Sequence, residues 1–226
     1  MDKSKNTIQQ MFSRVAKCYD LANSVLSLGL HFLWKRILVN RLIEHKDQSL
    51  VLDLCSGTGD IQQSLRRRSI NSIAADFTFP MLQVQSLKQN CSDRLLQADA
   101  LNLPFKDQTF SIIAVSYGVR NFEVLETGLN EISRVLKNNG KLFILEFGDP
   151  KPGLMGSCVK TYEKYIVPLV GKFFFRNPLA YSYLSQSAKT FPSREEFIAI
   201  AQKSGFSTGE FRELFFGASY LYEITK

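Results

Sequence analysis

The sequence predicts an α/β fold whose seven-stranded, mostly parallel sheet has helices on both faces. Three observations support this fold class. Short apolar segments alternate with amphipathic segments between residues 50 and 146, as they do where helices join parallel strands. The first apolar segment runs directly into a glycine turn. The next two apolar segments each lead to an aspartate, and the carboxyl ends of parallel strands are where such sheets bind ligands.

Residues 1–46 come before the sheet and are predicted to be helical from residue 7 onwards. Small and polar residues at 19–29 separate two stretches with helical periodicity. The apolar positions of these stretches are Ile8, Met11, Phe12, Val15, Trp34, Ile37, Leu38 and Leu42. Two interpretations remain open: a helical lid over a bound cofactor, or a helical extension that covers an edge of the sheet.

The first predicted strand and the turn after it form the central motif of the chain. Residues 50–55 are apolar apart from Asp53, which suits a strand buried on both faces. Gly57 and Gly59 permit a tight turn in which the backbone approaches a ligand without intervening Cβ atoms. Asp60 is predicted to be the N-cap of the next helix. Strand, glycine turn and helix together predict a binding site for a nucleotide cofactor.

The charges around this turn indicate which cofactor binds. A dinucleotide site has the pattern G-x-G-x-x-G, but Gln62 occupies the place of its third glycine. Asp53 and Asp60 flank the turn, and carboxylates repel a pyrophosphate but attract a cation. S-adenosyl-L-methionine carries a sulfonium and an ammonium group, so it is the predicted cofactor.

Two further aspartates are expected at the same edge of the sheet. Residues 72–76 read as the second strand and end in Asp76, where a ribose diol needs a bidentate acceptor. Residues 96–100 read as the end of the third strand and contain Asp99. This second carboxylate is placed to accept a hydrogen bond from the adenine amino group.

The remaining elements follow from apolar runs, helical spacing and turn residues. In chain order we predict a helix at Phe79–Gln89, a fourth strand at Phe110–Ser116, a helix from Phe122 to Leu136 that ends at Asn138-Asn139-Gly140, a fifth strand at Lys141–Phe147, a final helix opened by a capping box at Ser193 and closed by Gly205, and two strands within Phe206–Thr225.

Residues 150–191 differ in composition from the core at 50–147 and from the C-terminal part at 192–226. Aromatic and basic residues mix here without a strand pattern, so a helical insertion on the ligand side of the sheet is predicted. Its apolar residues either line a pocket or membrane-facing entrance for an apolar substrate, or pack against the N-terminal helices. Both interpretations remain open.

The composition limits the functional classes. The 226 residues, 45% of them apolar, are predicted to form one domain, residues 1–226. The four cysteines include no C-x-x-C pair, which argues against a metal site or disulfide framework and favours the cytoplasm. Neither a signal sequence nor a membrane-spanning run is recognised. The net charge of +7 by itself selects neither nucleic acid nor an anionic membrane.

Three motifs are more specific than the glycine turn: Tyr117-Gly118-Val119-Arg120-Asn121 after strand four, Arg134-Val135-Leu136-Lys137, and Leu145-Glu146-Phe147 after strand five. With these motifs the chain resembles the ubiquinone/menaquinone biosynthesis C-methyltransferase family, within the class I S-adenosylmethionine-dependent methyltransferases. The resemblance covers about Phe12 to Phe206 and departs from the family pattern at Ser56, at residues 138–140 and in the C-terminal strands.

The resemblance implies a Rossmann-like methyltransferase fold and methylation of a ring carbon of a prenylated quinol. In this reaction demethylmenaquinol becomes menaquinol, and some members methylate the analogous precursor of ubiquinol. It further implies a set of cofactor-binding positions, some of which the turn and the strand ends predict independently. The positions are Asp53, Gly57, Thr58, Gly59, Asp76, Asp99, Ala100 and Ser116.

Three residues are candidates for the chemistry on the substrate. Loss of a ring hydroxyl proton raises the electron density at the attacking carbon, so the site needs a base or a group that stabilises a phenolate. Arg120 and Asn121 are predicted to hold the phenolate oxygen. Arg120 is a poor base because guanidinium stays charged. His31 is a candidate base on the N-terminal helices, and a structural histidine is the competing interpretation.

Other functional classes predict other features. A nucleic-acid amino-methyltransferase is expected to carry a proline-rich element after strand four to hold a flipped base, but residues 117–121 contain no proline. Nucleic acid is therefore not a predicted partner. Methylation of another lipophilic molecule, such as a sterol or a phospholipid amine, is the alternative. Peripheral membrane contact through residues 162–176 and a homo-oligomer are further hypotheses.

Overall fold

The fold is taken from a computed structural model, which describes residues 3–16, 19–45, 50–89, 94–150, 153–167, 169, 183, 186–192 and 194–226. The strands are β1 (Val51–Leu54), β2 (Ser72–Asp76), β3 (Leu95–Gln97), β4 (Phe110–Ser116), β5 (Leu136–Phe147), β6 (Thr208–Leu214) and β7 (Ser219–Thr225). The α-helices are α1 (Lys5–Val15), α2 (Tyr19–Leu26), α3 (Leu30–Ile43), α4 (Asp60–Arg66), α5 (Phe79–Gln89), α6 (Leu125–Val135), α7 (Leu154–Thr161) and α8 (Glu195–Lys203).

The seven strands form one sheet in the order β3-β2-β1-β4-β5-β7-β6. β7 runs antiparallel to both of its neighbours, and the other pairs are parallel. The predicted mostly parallel, seven-stranded sheet is therefore confirmed. The strand order reverses between β1 and β4, and sheets of this type bind ligands in the crevice beyond that point.

Helices cover both faces because successive residues of the central strands point to opposite sides. Leu52 of β1 packs in one apolar cluster with α6 and α8. Val51, its neighbour, packs in a second cluster with α3 and α4 on the other face. The continuous apolar runs in the sequence reflect this burial on two sides. β2, α5 and β4 have the bounds predicted from the sequence.

The N-cap prediction for Asp60 is wrong. Gly59 precedes α4 with a φ of 89°, a conformation that favours glycine, and Asp60 is the first helical residue. The carboxylate of Asp60 is therefore not at the cap position. It lies instead 2.7 Å from Nζ of Lys35 and 3.2 Å from Nζ of Lys88. Two ammonium groups thus replace the helix terminus as its partners.

The third and fifth strands also differ from their predicted bounds. β3 ends at Gln97, and Asp99 lies beyond it in a turn where its Oδ1 accepts the N–H of Leu101 at 2.9 Å. This local side-chain bond competes with strand pairing. β5 begins at Leu136 rather than Lys141, and its register against β4 shifts between these two residues. Asn139 is left-handed, as expected, but inside a strand irregularity.

The described part of the insertion packs against the N-terminal helices. After α7, a π-helical turn spans Tyr162–Ile166. The hydroxyl of Tyr162 donates to the carbonyl of Val25 in α2 at 3.2 Å. Residues 170–182 and Ser193, the predicted capping residue, lie outside the described residues. None of the described helices is both long and apolar enough to span a membrane.

Candidate active site

A cleft of about 780 Å³ opens at the carboxyl ends of β1, β2 and β4. Leu54, Asp76 and Ser116, the last residues of these strands, line it. The strand order places this cleft at the switch point of the sheet. Its position at the carboxyl ends of the strands agrees with the sequence prediction.

The N-terminal helices form one wall of the cleft. Ile8 and Phe12 of α1 and Tyr19 of α2 line it. α3 instead packs on a face of the sheet through Leu38 and Leu42. Residues of α1 and the first residue of α2 therefore line the cleft, while α3 packs on a face of the sheet rather than on an edge; a lid over a bound cofactor stays a prediction.

Asp76 is positioned by the glycine turn that it faces. Its Oδ2 accepts the N–H of Gly57 at 2.8 Å, and its Oδ1 accepts the N–H of Thr78 at 2.8 Å. Gly57 has a φ of 56°, a left-handed conformation that favours glycine in this turn. Burial raises the pKa of Asp76, and the two N–H groups oppose that rise. The carboxylate is thus held rigidly at the edge of the cleft.

Asp99 meets a cation from the N-terminal helix. Its Oδ2 lies 2.6 Å from Nζ of Lys5, the first residue of α1. Both residues line the cleft. Hydrogen bonding to Asp99 raises the pKa of Lys5, so this ammonium stays charged at neutral pH. The contact ties α1 to the segment where the sequence predicts recognition of the adenine.

Ala100 and Ser116 complete the predicted cofactor residues in the cleft wall. Among the described residues, Oγ of Ser116 is buried without a hydrogen-bond partner. A buried hydroxyl needs a partner, and a ligand in the cleft supplies one. Together with the carboxylates of Asp76 and Asp99, this hydroxyl makes the cleft a fitting site for S-adenosylmethionine.

The other predicted cofactor residues lie behind the cleft. In the described part of the chain, Asp53, Gly57, Thr58 and Gly59 are not among its lining residues. Thr58 is buried, and its hydroxyl donates to Asp20 of α2. Asp20 also accepts from Nζ of Lys88 at 2.7 Å. Burial opposes ionisation of Asp60, but Lys35 and Lys88 still lower its pKa to about 2. These groups tie α2 to the glycine turn.

Asp53 sits beneath the turn. Its Oδ2 accepts the N–H of Gln62 in the first turn of α4 at 3.0 Å. The side chain is buried, and this desolvation raises the pKa of Asp53 to about 8 despite the bond from Gln62. The carboxyl group therefore holds a proton at neutral pH in the absence of a nearby ligand cation.

Arg120 and Asn121 have different surroundings although they are adjacent. Asn121 lines the cleft. Arg120 is 2% exposed and pairs through Nη1 with Oε1 of Glu146 at 2.8 Å, below the turn that carries Asn121. Its guanidinium also lies 4.9 Å from the ring centre of Phe147. This environment positions the turn, and direct contact of Arg120 with a substrate oxygen stays a prediction.

His31 is buried away from the cleft-lining part of the described chain. Its Nδ1 lies 2.7 Å from Oγ of Ser27. Burial, with a smaller contribution from Lys35, lowers the pKa of His31 to about 4. An imidazole with this pKa is neutral at pH 7. Its role as the base stays a prediction, and this geometry lends it no support.

Three residues of the site were missed by the sequence analysis. Lys3 and Lys5 line the cleft, and Tyr183 contacts Asn121. Lys5 shares the helical spacing of Ile8 and Phe12, so the periodicity could have placed it on the same face. Neither the extended N-terminal position of Lys3 nor the long-range contact of Tyr183 has a local sequence signal.

The full length of the chain is similar to known proteins of one family. Residues 1–226 match the model of the ubiE/COQ5 methyltransferase family. The chain is 36% identical to the demethylmenaquinone methyltransferase of Bacteroides fragilis, over 99% of this chain and 94% of that protein. It is also 36% identical to the ubiquinone/menaquinone biosynthesis C-methyltransferase UbiE of Blochmanniella pennsylvanica, over 98% and 90% of the two chains.

A solved structure shares the fold. The S-adenosylmethionine-dependent methyltransferase of Thermotoga maritima superimposes with a TM-score of 0.69 at 20% identity, over 96% of this chain and 99% of that chain. The Rossmann-like methyltransferase fold expected from the sequence is thereby confirmed.

Proposed function

The chain belongs to the ubiE/COQ5 methyltransferase family, and we propose on this basis that it is an S-adenosylmethionine-dependent C-methyltransferase that converts demethylmenaquinol to menaquinol. The observation that supports this assignment is the family match over residues 1–226, combined with a cleft whose wall carries Asp76, Asp99 and Ser116. The name of the Blochmanniella relative supports the analogous step toward ubiquinone as a second reaction.

The residues of the cleft have distinct tasks in this reaction. The bound cofactor supplies an electrophilic methyl group. When the cofactor is bound, Asp76 would accept from the ribose hydroxyls, Asp99 would accept from the adenine amino group, and the buried hydroxyl of Ser116 would gain a partner. Asn121 donates to the ring oxygen that becomes negative when the ring hydroxyl loses its proton, and this favours the electron-rich phenolate whose ring carbon attacks the methyl group. The ring gains a methyl group and loses one proton to solvent, so charge is balanced.

A methyl-transfer assay tests the proposal. Purified protein, labelled S-adenosylmethionine and reduced short-chain demethylmenaquinol should give ring-methylated product, and Asn121→Ala should reduce kcat about 100-fold, as removal of an oxyanion donor does elsewhere. If the parent protein binds the cofactor and methylates neither this quinol nor the ubiquinol precursor, the substrate assignment is wrong. Sterol and phospholipid-amine acceptors in the same assay then test the alternative.

The protonation of Asp53 predicts proton release on cofactor binding. With a pKa of about 8, this carboxyl group is largely protonated at pH 7 in the free protein. We propose that the ammonium group of the bound cofactor lies on the cleft side of the glycine turn above Asp53. A cation there favours the carboxylate, so up to about one proton should be released on binding. Calorimetry at pH 7 in buffers of different ionisation enthalpy measures the number. Asp53→Asn should abolish the release; equal release from the variant would exclude Asp53 as its source.

The same pKa fixes the pH dependence of stability in the free protein. An unfolded aspartate has a pKa of ~3.9, so between about pH 4 and pH 8 the folded state holds a proton that the unfolded state lacks. The contribution of Asp53 to the unfolding free energy therefore decreases as the pH rises through this window. Urea titrations at pH 5 and pH 8 measure this effect. The unfolding free energy should fall less between these two pH values in Asp53→Asn than in the parent.

We also propose peripheral contact with the cytoplasmic face of a membrane, because the substrate is lipophilic. The described part of the insertion lies beside other elements with exposed apolar residues, so the proposed membrane-contact face is broader than residues 162–176 alone. α7 contacts the 3₁₀ turn Phe215–Gly217, and Phe215 lies 6.5 Å from the ring of Trp34 in α3. The exposed apolar side chains of α3, α7, the π-helical turn and the 3₁₀ turn are Phe32, Leu33, Leu154, Met155, Tyr165, Ile166, Phe215 and Phe216.

The backbone conformation and the positive charges at this face support contact with a membrane surface. Phe215 and Phe216 have φ values of 44° and 56°, which is costly for aromatic residues and is maintained here with both rings exposed. Lys164 lies beside Tyr165, and Arg36 is exposed one turn after Phe32. Aromatic residues interspersed with cations are typical of surfaces that bind anionic bilayers.

The variant Leu33→Ser/Phe216→Ser should bind vesicles of phosphatidylglycerol and phosphatidylcholine at least about 10-fold more weakly than the parent, because two apolar anchors are lost. Sedimentation of the vesicles measures the bound fraction. Leu87→Ser is the matched control, since Leu87 is 82% exposed on α5, which packs beside β2 and β3. Equal loss in the control, or none in the double variant, would contradict this membrane face. Homo-oligomer formation stays a prediction that light scattering can test.

A further inference from the structure

One hydrogen bond connects the segment after α7 to the wall of the cleft. Tyr183 donates from its hydroxyl to Oδ1 of Asn121 over 3.1 Å, across 62 residues of sequence. Tyr183 is 6% exposed, so solvent does not readily replace this bond. Asn121 ends the 3₁₀ turn Val119–Asn121 and lines the cleft. A residue outside the sheet therefore restrains a side chain of the candidate active site.

The acceptors and donors around Asn121 fix the orientation of its amide group. The carbonyl oxygen of Tyr117 lies 3.5 Å from Nδ2, and a carbonyl can only accept. The NH₂ group must therefore face Tyr117, and the hydroxyl of Tyr183 meets Oδ1. An amide nitrogen carries two N–H groups. Within the described part of the chain, the bond to Tyr117 is the one bond recorded for Nδ2, which leaves its second N–H as a donor to a ligand in the cleft.

The backbone that carries Asn121 is restrained separately from the side chain. The N–H of Asn121 donates to the carbonyl of Gly118 at 3.0 Å, and the Arg120–Glu146 pair lies below the turn. With the backbone fixed, rotation of the amide is the remaining freedom that would exchange Nδ2 for Oδ1. A rotated amide presents an oxygen, which repels a developing oxyanion.

We propose that Tyr183 is a positioning residue for methyl transfer: it holds the amide of Asn121 with its NH₂ group toward the cleft, where this group donates to the oxygen of the ring being methylated. The inference rests on the proposed function and extends it to the insertion. A donor that is already aimed at the ring oxygen favours loss of the hydroxyl proton, and so raises the share of the phenolate that attacks the methyl group, without reorientation. Tyr183 thereby affects the chemical step through Asn121.

A double-mutant cycle tests this inference. Tyr183→Phe keeps the ring and removes only the hydroxyl. It should lower kcat about 5- to 10-fold and leave the Kd for S-adenosylhomocysteine within about twofold of the parent. In the Asn121→Ala background the same change should have no further effect on kcat, since its target is absent. Independent, multiplied losses would overturn the proposal, as would an unchanged kcat in Tyr183→Phe.

A binding measurement separates positioning from a purely structural role. In complexes with S-adenosylhomocysteine, absorbance titration of 1-naphthol reports the pKa of a ring hydroxyl in the cleft without any turnover. The parent should lower this pKa, and Tyr183→Phe should lower it less, because its amide is free to rotate. The same pKa in both proteins would contradict the proposal.

Thr190→Val is the matched control and should behave as the parent, since it removes an exposed hydroxyl of the same segment that donates to the carbonyl of Gln186 at 3.1 Å. If the parent methylates no quinol but the naphthol pKa still depends on Tyr183, the substrate assignment is wrong and the positioning role stands.

Discussion

Asp76→Ala is expected to weaken the binding of S-adenosylmethionine about 100-fold, which corresponds to ~2.7 kcal/mol. The variant removes the carboxylate at the end of β2 that we assign to the ribose hydroxyls. It also leaves the N–H groups of Gly57 and Thr78 without their acceptor, so the glycine turn loses its anchor. A buried donor without a partner costs ~1–3 kcal/mol, and the unfolding free energy should fall by a similar amount. Calorimetry with S-adenosylhomocysteine measures the affinity.

Asp60→Asn is the control for this experiment. Asp60 flanks the same turn, but its charge is already balanced by Lys35 and Lys88. Its replacement should change the affinity by no more than about threefold. An unchanged affinity in a folded Asp76→Ala protein would exclude the ribose contact. An equal loss in Asp60→Asn would show that net charge around the turn, rather than a specific contact, determines binding.

Strands and helices could be predicted from the sequence where the residues that define them lie within the element itself. β2 and β4 have their predicted bounds because apolar runs and terminal polar residues lie within each strand. Asp76 and Ser116 could be placed at the cleft because parallel strands end at one edge. Where a side chain has a distant partner, the local signal misleads. Asp60 resembles an N-cap in sequence, and only the folded chain brings Lys35 and Lys88 to it.

The candidate catalytic residues show the same limit. Arg120 and Asn121 are adjacent in a motif, and the sequence predicts that both side chains contact the phenolate oxygen of the substrate. The fold separates them, because Glu146 at the end of β5 neutralises Arg120 below the turn while Asn121 reaches the cleft. Tyr183 could not have been connected with Asn121, since no periodicity or spacing links residues 62 positions apart. Such pairings depend on tertiary packing.

Glu146→Ala is expected to reduce the unfolding free energy by ~3–5 kcal/mol, because it leaves the guanidinium of Arg120 charged and buried without a counter-ion. Glu146 is 0% exposed and also accepts the N–H of Phe147 at 2.9 Å. Urea unfolding measures the loss. Asp149→Ala is the matched control: it breaks an exposed pair with Lys160 and should cost less than ~1 kcal/mol.

The double variant Arg120→Met/Glu146→Leu distinguishes stability from function. Two apolar side chains of similar size should restore most of the stability lost in Glu146→Ala, since no charge is left buried. Methyl transfer should stay low, because the turn that carries Asn121 loses its ionic and hydrogen-bonded support. If the double variant recovers full activity together with stability, the pair serves packing alone. If Glu146→Ala is as stable as the parent, the two side chains are not the buried ion pair described here.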